Sequence, residues 1–290
     1  MSRKSKRSIV ISVRLDETTL TAVDLLVDAG LAQSRSEAAS QFIVIGIQSS
    51  EELILKAKEL EENVRRLKNE MLDAVKSKNL DKVKHLLEID EKLKDAKSED
   101  GQTAVLMAAY YRANEIKELL LQKGADLNFY EAATVGNTAR IKEVLSEAPK
   151  LINSHNFDGY TSLGLAAHFG HEEAATYLLD NGADINLKGK DGKLNNTALH
   201  ASIAGNHINI VKLLVKYRAD IDSQCEGELR RGYTPLHVAA HFNRLEIARL
   251  LIENGANLII TNNQSLAPLE YALSIGNTEI ADIIQASLIK

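Results

Sequence analysis

The sequence predicts a mainly α-helical chain in three parts: a small strand-and-two-helices unit, a connecting helix, and a long helical repeat array. Three observations carry this reading. Ser8 to Leu15 alternates side chains between two faces and is followed by two capped amphipathic stretches. Leu53 to Ala74 repeats apolar or small residues at alternating spacings of four and three. From Met71 onward the chain is internally periodic. The parts run over residues 1–48, 49–74 and 71–290, the connecting helix merging into the array.

In the first part, Ile9, Ile11, Val13 and Leu15 fall on one face of the strand and Ser8, Val10, Ser12 and Arg14 on the other. A lone strand does not hold itself together in water, so its expected pairing partner is a second copy. Asp16 caps a helix in which Leu20, Val23 and Val27 recur until Gly30 stops it. Ser34-Arg35-Ser36-Glu37 is a capping box that opens a second helix through Ala38, Phe42, Ile43 and Ile47. One copy of this unit is too small to bury an adequate core, which also predicts a homodimer.

Val-Arg-Leu-Asp (13–16), Val-Asp-Leu-Leu-Val-Asp-Ala-Gly (23–30) and Ser-Arg-Ser-Glu-Ala (34–38) resemble the ribbon-helix-helix repressors of the Arc and MetJ class, over roughly residues 8 to 48. The resemblance implies an antiparallel ribbon in the major groove of double-stranded DNA. On it, Val10, Ser12 and Arg14 face the bases, and Ser34, Arg35 and Ser36 meet a phosphate at the second helix's start. Val10 departs from the family's polar pattern and carries no hydrogen-bond information. Ahead of the strand, Arg3, Lys4, Lys6 and Arg7 form a basic arm suited to phosphate contacts, although such a tail is also what a solvated terminus looks like.

Composition bounds the rest. Of 290 residues 44% are hydrophobic and 26% charged, and the single cysteine, Cys225, allows neither an intrachain disulfide nor a Cys-based metal site. No apolar run reaches membrane-spanning length, and the run after the basic arm is too short for a signal peptide, so the expectation is a cytoplasmic protein without a membrane partner. Were the first part a repressor, the protein would be prokaryotic and nucleoid-associated when bound to DNA. Residues 99–290 carry 17 basic and 23 acidic groups, which makes them a poor candidate for the DNA contact.

The connecting helix starts at a second capping box, Ser49-Ser50-Glu51-Glu52. Its seam is Leu53, Ala57, Leu60, Val64, Leu67, Met71 and Ala74. Two readings fit: a short coiled coil continuing a dimer axis, or an amphipathic helix folded against the next domain.

The fullest repeat is Gly-Tyr-Thr-Pro-Leu-His-Val-Ala-Ala (232–240), then Leu245 to Leu251, then Asn-Gly-Ala-Asn (254–257). With Asp158-Gly159-Tyr160-Thr161-Ser162-Leu163 and Thr197-Ala198-Leu199-His200, it resembles the ankyrin repeat. The resemblance implies a solenoid of stacked helix pairs that share a core and bind a protein partner. Aligned inter-helix turns fall at Lys78, Arg112, Gly136, Gly170, Gly205, Asn243 and Gly276, separated by 34, 24, 34, 35, 38 and 33 residues. That makes about seven repeat-like units, the first and last acting as caps. The 24-residue step predicts that the unit at 129–148 lacks its turn finger; the 38-residue step reflects an enlarged finger over 223–231.

His200 and His237 read as structural, and no third ligand joins the pairs His237/His241 or His168/His171, so no metal or cofactor is expected. In ankyrin repeats the two residues before the turn line a concave groove. Here the aromatic or imidazole-bearing pairs are Tyr110-Tyr111, His168-Phe169 and His241-Phe242, and Arg230 and Arg231 of the long finger join them as candidate partner contacts. The competing reading is that one residue of each pair only packs between repeats. No phosphate-binding Gly loop, Gly-x-Ser-x-Gly or His-Glu-x-x-His motif suggests catalysis. The expected function is a DNA-binding regulator, a repressor, that dimerises through its ribbon and recruits or answers to an ankyrin-bound protein. The alternative is an interaction scaffold, or an antitoxin-like protein, whose first part only dimerises.

Overall fold

The computed structural model describes residues 14, 16–48 and 51–289, which fall into two compact units divided between Leu67 and Lys68. Among the described residues every regular element is a helix, and β-structure is limited to two isolated bridges, Lys97 with Thr103 and His155 with Thr161. The expected strand lies outside the described residues except for Arg14, which is exposed and in no regular element. A ribbon-helix-helix module is therefore not shown; what is shown in that region is a helix pair.

In the first unit, α1 (Glu17–Asp28) begins where the Asp16 carboxylate accepts from the Thr19 N–H at 2.7 Å. The Thr19 side chain first, and then this N–H, lower the Asp16 pKa. Gly30, at φ +73°, ends the helix. The start of α2 (Arg35–Gln48) uses its capping box with a shift: Ser34 Oγ accepts from the Glu37 N–H at 3.2 Å, while the Glu37 carboxylate reaches back to the N–H of Gln33, at 2.6 Å. Arg35 Nε and Nη2 bond both carboxylate oxygens of Asp24, at 2.5 and 2.7 Å, and tie the two helices together. Among the described residues the unit's buried core is Val23, Ala32 and Ala38, with Leu26, Val27 and Ala39 partly covered against it. Phe42, Ile43, Val44, Ile45 and Ile47 of α2 all remain exposed.

The connecting segment is one helix, α3 (Glu51–Lys76). Along its seam Ala57, Leu60 and Val64 are exposed, whereas Met71 and Ala74, in the second unit, are buried. The seam thus changes character along its length, its last turns forming the opening wall of the array.

In the second unit α3 turns at Lys78 into α4 (Leu80–Ile89). Six further pairs follow: α5 (Ala104–Tyr110) with α6 (Asn114–Gln122), α7 (Phe129–Val135) with α8 (Thr138–Glu147), and α9 (Ser162–Phe169) with α10 (Glu172–Asp180). Then come α11 (Ala198–Gly205) with α12 (Ile208–Lys216), α13 (Pro235–His241) with α14 (Leu245–Glu253), and α15 (Pro268–Ser274) with α16 (Thr278–Leu288). The first helix of an inner pair is largely buried, as Leu236 to Ala240 are in α13. The second buries one face, as Ile210, Val211 and Leu214 do in α12.

Six of the seven aligned turn residues adopt positive φ, Lys78, Arg112 and Asn243 among them. The fifth differs: Gly205 closes α11 and Asn206, at φ +66°, makes the turn. Gly205 is required for another reason, since a Cβ there would lie 2.3 Å from the His168 carbonyl oxygen.

At three of the turns the following residue stitches neighbouring pairs. His171 Nε2 donates to the Thr134 carbonyl at 2.8 Å, Arg244 Nη2 to that of Ala204 at 3.3 Å, and Asn277 Nδ2 to that of Ala240 at 2.7 Å. These bonds satisfy carbonyls that helix ends leave without partners. At the far edge, the Asp126, Asp184, Asp220 and Asn257 N–H groups each meet a side-chain oxygen of the preceding repeat at 2.8 Å.

Candidate protein-binding groove

Thr-Pro-Leu-His explains itself locally. Thr234 Oγ1 and His237 Nδ1 are 2.9 Å apart, and His237 Nε2 donates to the Leu266 carbonyl of the next finger at 3.0 Å, so the hydroxyl is the donor to Nδ1. Thr197 and His200 repeat the arrangement, with His200 Nε2 on the Tyr233 carbonyl. Complete burial pushes the His200 pKa down to about 4. In the fingerless repeat Glu131 takes the histidine's place: its carboxylate accepts from Thr103 Oγ1 at 2.7 Å and from the Asn128 N–H at 2.9 Å. These side chains are scaffold. With their bonding needs met inside, the helix ends are left to face outward.

The candidate groove positions divide by residue type. Thr134, Val135 and Ile203 are buried between repeats. Tyr110 and Tyr111 are each 45% exposed, and Tyr110 sets its ring on Phe169 of α9, edge to face at 5.3 Å. This contact reaches past the small α7 positions, joining the second and fourth repeats. His168 meets Phe169 at 5.0 Å. Further along, His241 Nδ1 and the Tyr271 hydroxyl are hydrogen-bonded at 2.7 Å. Phe242 lies beneath the Arg230 and Arg244 guanidinium groups, at 4.9 and 5.6 Å. Arg231 is exposed.

The enlarged finger is not a free loop. The Gly227 and Leu229 N–H groups donate to the Leu194 and Lys193 carbonyls at 3.0 and 2.9 Å, and Lys188 Nζ pairs with Glu226 at 2.6 Å. Two neighbouring long fingers brace each other and hold Arg230 over Phe242. Cys225 is buried inside, and desolvation pushes its thiol up to about 12, away from reactivity.

Sequence reasoning missed the most open part of the groove. Cavities of about 610 and 790 Å³ flank Tyr110 and share Gln102, Leu106, Phe157 and Asp158. A smaller one of about 130 Å³ lies behind Tyr110 and Phe169. The available signals were the 24-residue step and a phenylalanine in a finger tip, Asn156-Phe157-Asp158-Gly159. Among the described residues no cluster of His, Cys, Asp or Glu could hold a metal ion, and no helix is long and apolar enough to cross a membrane.

Of the candidate DNA contacts, Val10, Ser12, Arg3, Lys4, Lys6 and Arg7 lie outside the described residues. Arg14, Ser34, Arg35 and Ser36 are exposed, but Arg35 is held by Asp24 rather than standing free at the helix start.

Comparison with known proteins bears on the array. A family model described as ankyrin repeats (3 copies) matches residues 71–188 and 129–225, and one described as ankyrin repeats (many copies) matches 224–272. An ankyrin repeat protein of fowlpox virus is 30% identical over 171 residues, 55% of this chain and 49% of that protein. The B-cell lymphoma 3 protein homolog of Mus musculus is 28% identical over 174 residues, 60% of this chain and 33% of its own length. The nuclear factor NF-kappa-B p105 subunit of Gallus gallus is 25% identical over 223 residues, 71% of this chain and 22% of its own. The chain spans about half or less of the length of these relatives, and their viral and animal origins lend no support to a prokaryotic source. On the matches over 71–272 and the helix pairs that occupy them, this chain belongs to the ankyrin-repeat proteins.

Proposed function

We propose that the protein is an interaction scaffold: the array captures a protein partner in its groove, and the first unit brings copies of the chain together. The observation that carries the capture is the row of outward aromatic and imidazole side chains, Tyr110, Tyr111, His168, Phe169, His241 and Phe242, in a chain with no tryptophan and only 4% aromatic residues. Such anchors dominate binding energy where they can be covered by a partner. Arg230 and Arg231 give the far end of the groove a basic character. Tyr111→Ala and Phe242→Ala are expected to weaken capture of the partner while the melting curve stays nearly unchanged; a large loss of stability would mean that these rings serve packing instead.

A second reading, DNA-binding repression, keeps one observation in its favour. The helix pair of residues 17–48 has the caps and order that the ribbon-helix-helix resemblance implies, and α2 leaves Phe42 to Ile47 uncovered, as a unit completed by a second copy would. On this reading Val10, Ser12 and Arg14 read bases, and the basic arm with Ser34 to Ser36 grips phosphate. Anisotropy binding of the full chain and an Arg14→Ala variant to duplexes from its own promoter region, across a salt series, separates the two. Sequence-selective binding lost in the variant supports regulation. Weak binding equal for both proteins and all sequences leaves the first unit as a dimeriser.

A further inference from the structure

The missing finger leaves a gap with a distinctive lining. Fingers occur at 97–103 and 155–161, while the repeat between them passes from Asp126 directly into the Asn128 cap of α7. The tip of the second finger therefore stands without a neighbour on that side. Its other side is locked: the Lys190 N–H donates to the Gly159 carbonyl at 2.7 Å, and a Cβ on Gly159 would lie 2.4 Å from the Lys190 backbone. The tip is thus a fixed wall. On it Phe157 is 101% exposed and Asp158 is exposed, with no ion-pair partner among the described residues. Tyr110, Tyr111 and Tyr160 supply further aromatic surface around the same cavity.

We propose that this gap is the specificity pocket of the groove and takes a basic side chain, arginine or lysine, from an extended segment of a partner protein. The inference rests on the reading of the groove as a partner-binding surface. Aromatic faces attract cations, most strongly where water is displaced, and a carboxylate beside them adds direct charge complementarity. A long basic side chain also has an apolar stem, which Leu106 and Phe157 can cover. Lys190 and Lys193 line the same cavity and oppose a cation there. The adjoining cavity shares Asp158 and is lined further by Asp100, Glu131 and Glu147 against a single cation, Arg140, so acids prevail across the gap. Burial comes first in raising the Tyr110 and Tyr160 pKa values; the Tyr160 phenol and then Asp158 raise that of Tyr110 further, and Asp191 and then Asp158 that of Tyr160. A partner carboxylate would face both of those acids.

The test is selection of peptides from a random display library by the immobilised full chain, followed by anisotropy with the enriched peptides. The expected result is a shared basic residue whose replacement by citrulline or norleucine costs about tenfold in affinity. In the isosteric Asp158→Asn variant, and in Phe157→Ala, that discrimination should shrink while the melting curve is retained. Peptides that bind through Phe169 and Phe242, lose affinity in Phe169→Ala, and are indifferent to citrulline would overturn the basic pocket and leave the groove standing. Enrichment of nothing that depends on any groove residue would overturn both.

Discussion

The two units solve the same problem with different completeness. In the array each helix pair finds its apolar partner in the next pair, so Leu120, Ile141, Leu178, Leu214 and Leu251 are all fully covered without help from another molecule. Among the described residues of the first unit three small or β-branched residues make the core, and five consecutive or near-consecutive positions of α2 show apolar side chains to water, Ile45 at 59% exposure. Repetition supplies neighbours within one chain. The helix pair of the first unit covers less of its apolar surface among the described residues, and on this contrast we propose assembly for the first unit and capture for the array.

Cavity formation should separate the units most sharply. Ile141→Ala, at a fully buried site of α8, is expected to cost about 2–5 kcal/mol in denaturant unfolding of the array. A cost below 1 kcal/mol would mean that the stack relaxes freely.

Acid should come next. The His200 pKa lies below its unfolded value, so the unfolded chain binds the extra proton. Its contribution is fully present above about pH 6.5 and is lost as pH falls toward about 4, a change of roughly 3 kcal/mol for this one group. His171, His207 and His237 are shifted down for the same reason, desolvation, and act in the same direction. His200→Gln should flatten the pH dependence of array stability in that window; an unchanged slope would contradict it.

A smaller effect is expected at Gly205. The close approach to the His168 carbonyl makes Gly205→Ala an overpacking change of about 1–3 kcal/mol. Smallest for the array is Val23→Ala, which should leave its melting untouched while weakening self-association. If the array melts earlier in that variant, the two units are energetically coupled and the contrast fails.

Much of this was legible from the residues. Thr234, Pro235 and His237 announce an ankyrin turn because hydroxyl, ring and imidazole each have one job there, and the 24-residue step marks the absent finger. The fifth turn falls one residue later than the aligned spacing predicts. Gly205 and Asn206 are both residues that tolerate positive φ, and only the closeness of His168 shows that the glycine serves contact rather than twist. The seam of α3 could not declare where it passes from exposed to buried, because Leu60 and Met71 look alike in a heptad pattern. The tie of Arg35 to Asp24 was not legible, since nothing local in the sequence connects it to the preceding helix. Phe157 carries no local signal, because the cavity beside it depends on the finger that the preceding repeat lacks.

Hydrogen exchange of the full chain at increasing protein concentration tests the contrast most directly. Amides of α2, from Ala38 to Ile47, should gain protection as concentration rises, while those of α9, α11 and α13 stay equally protected throughout. Protection of α2 that is already complete at the lowest concentration with the chain monomeric, or array protection that rises in step with it, would contradict the division between a unit that needs a second copy and an array that does not.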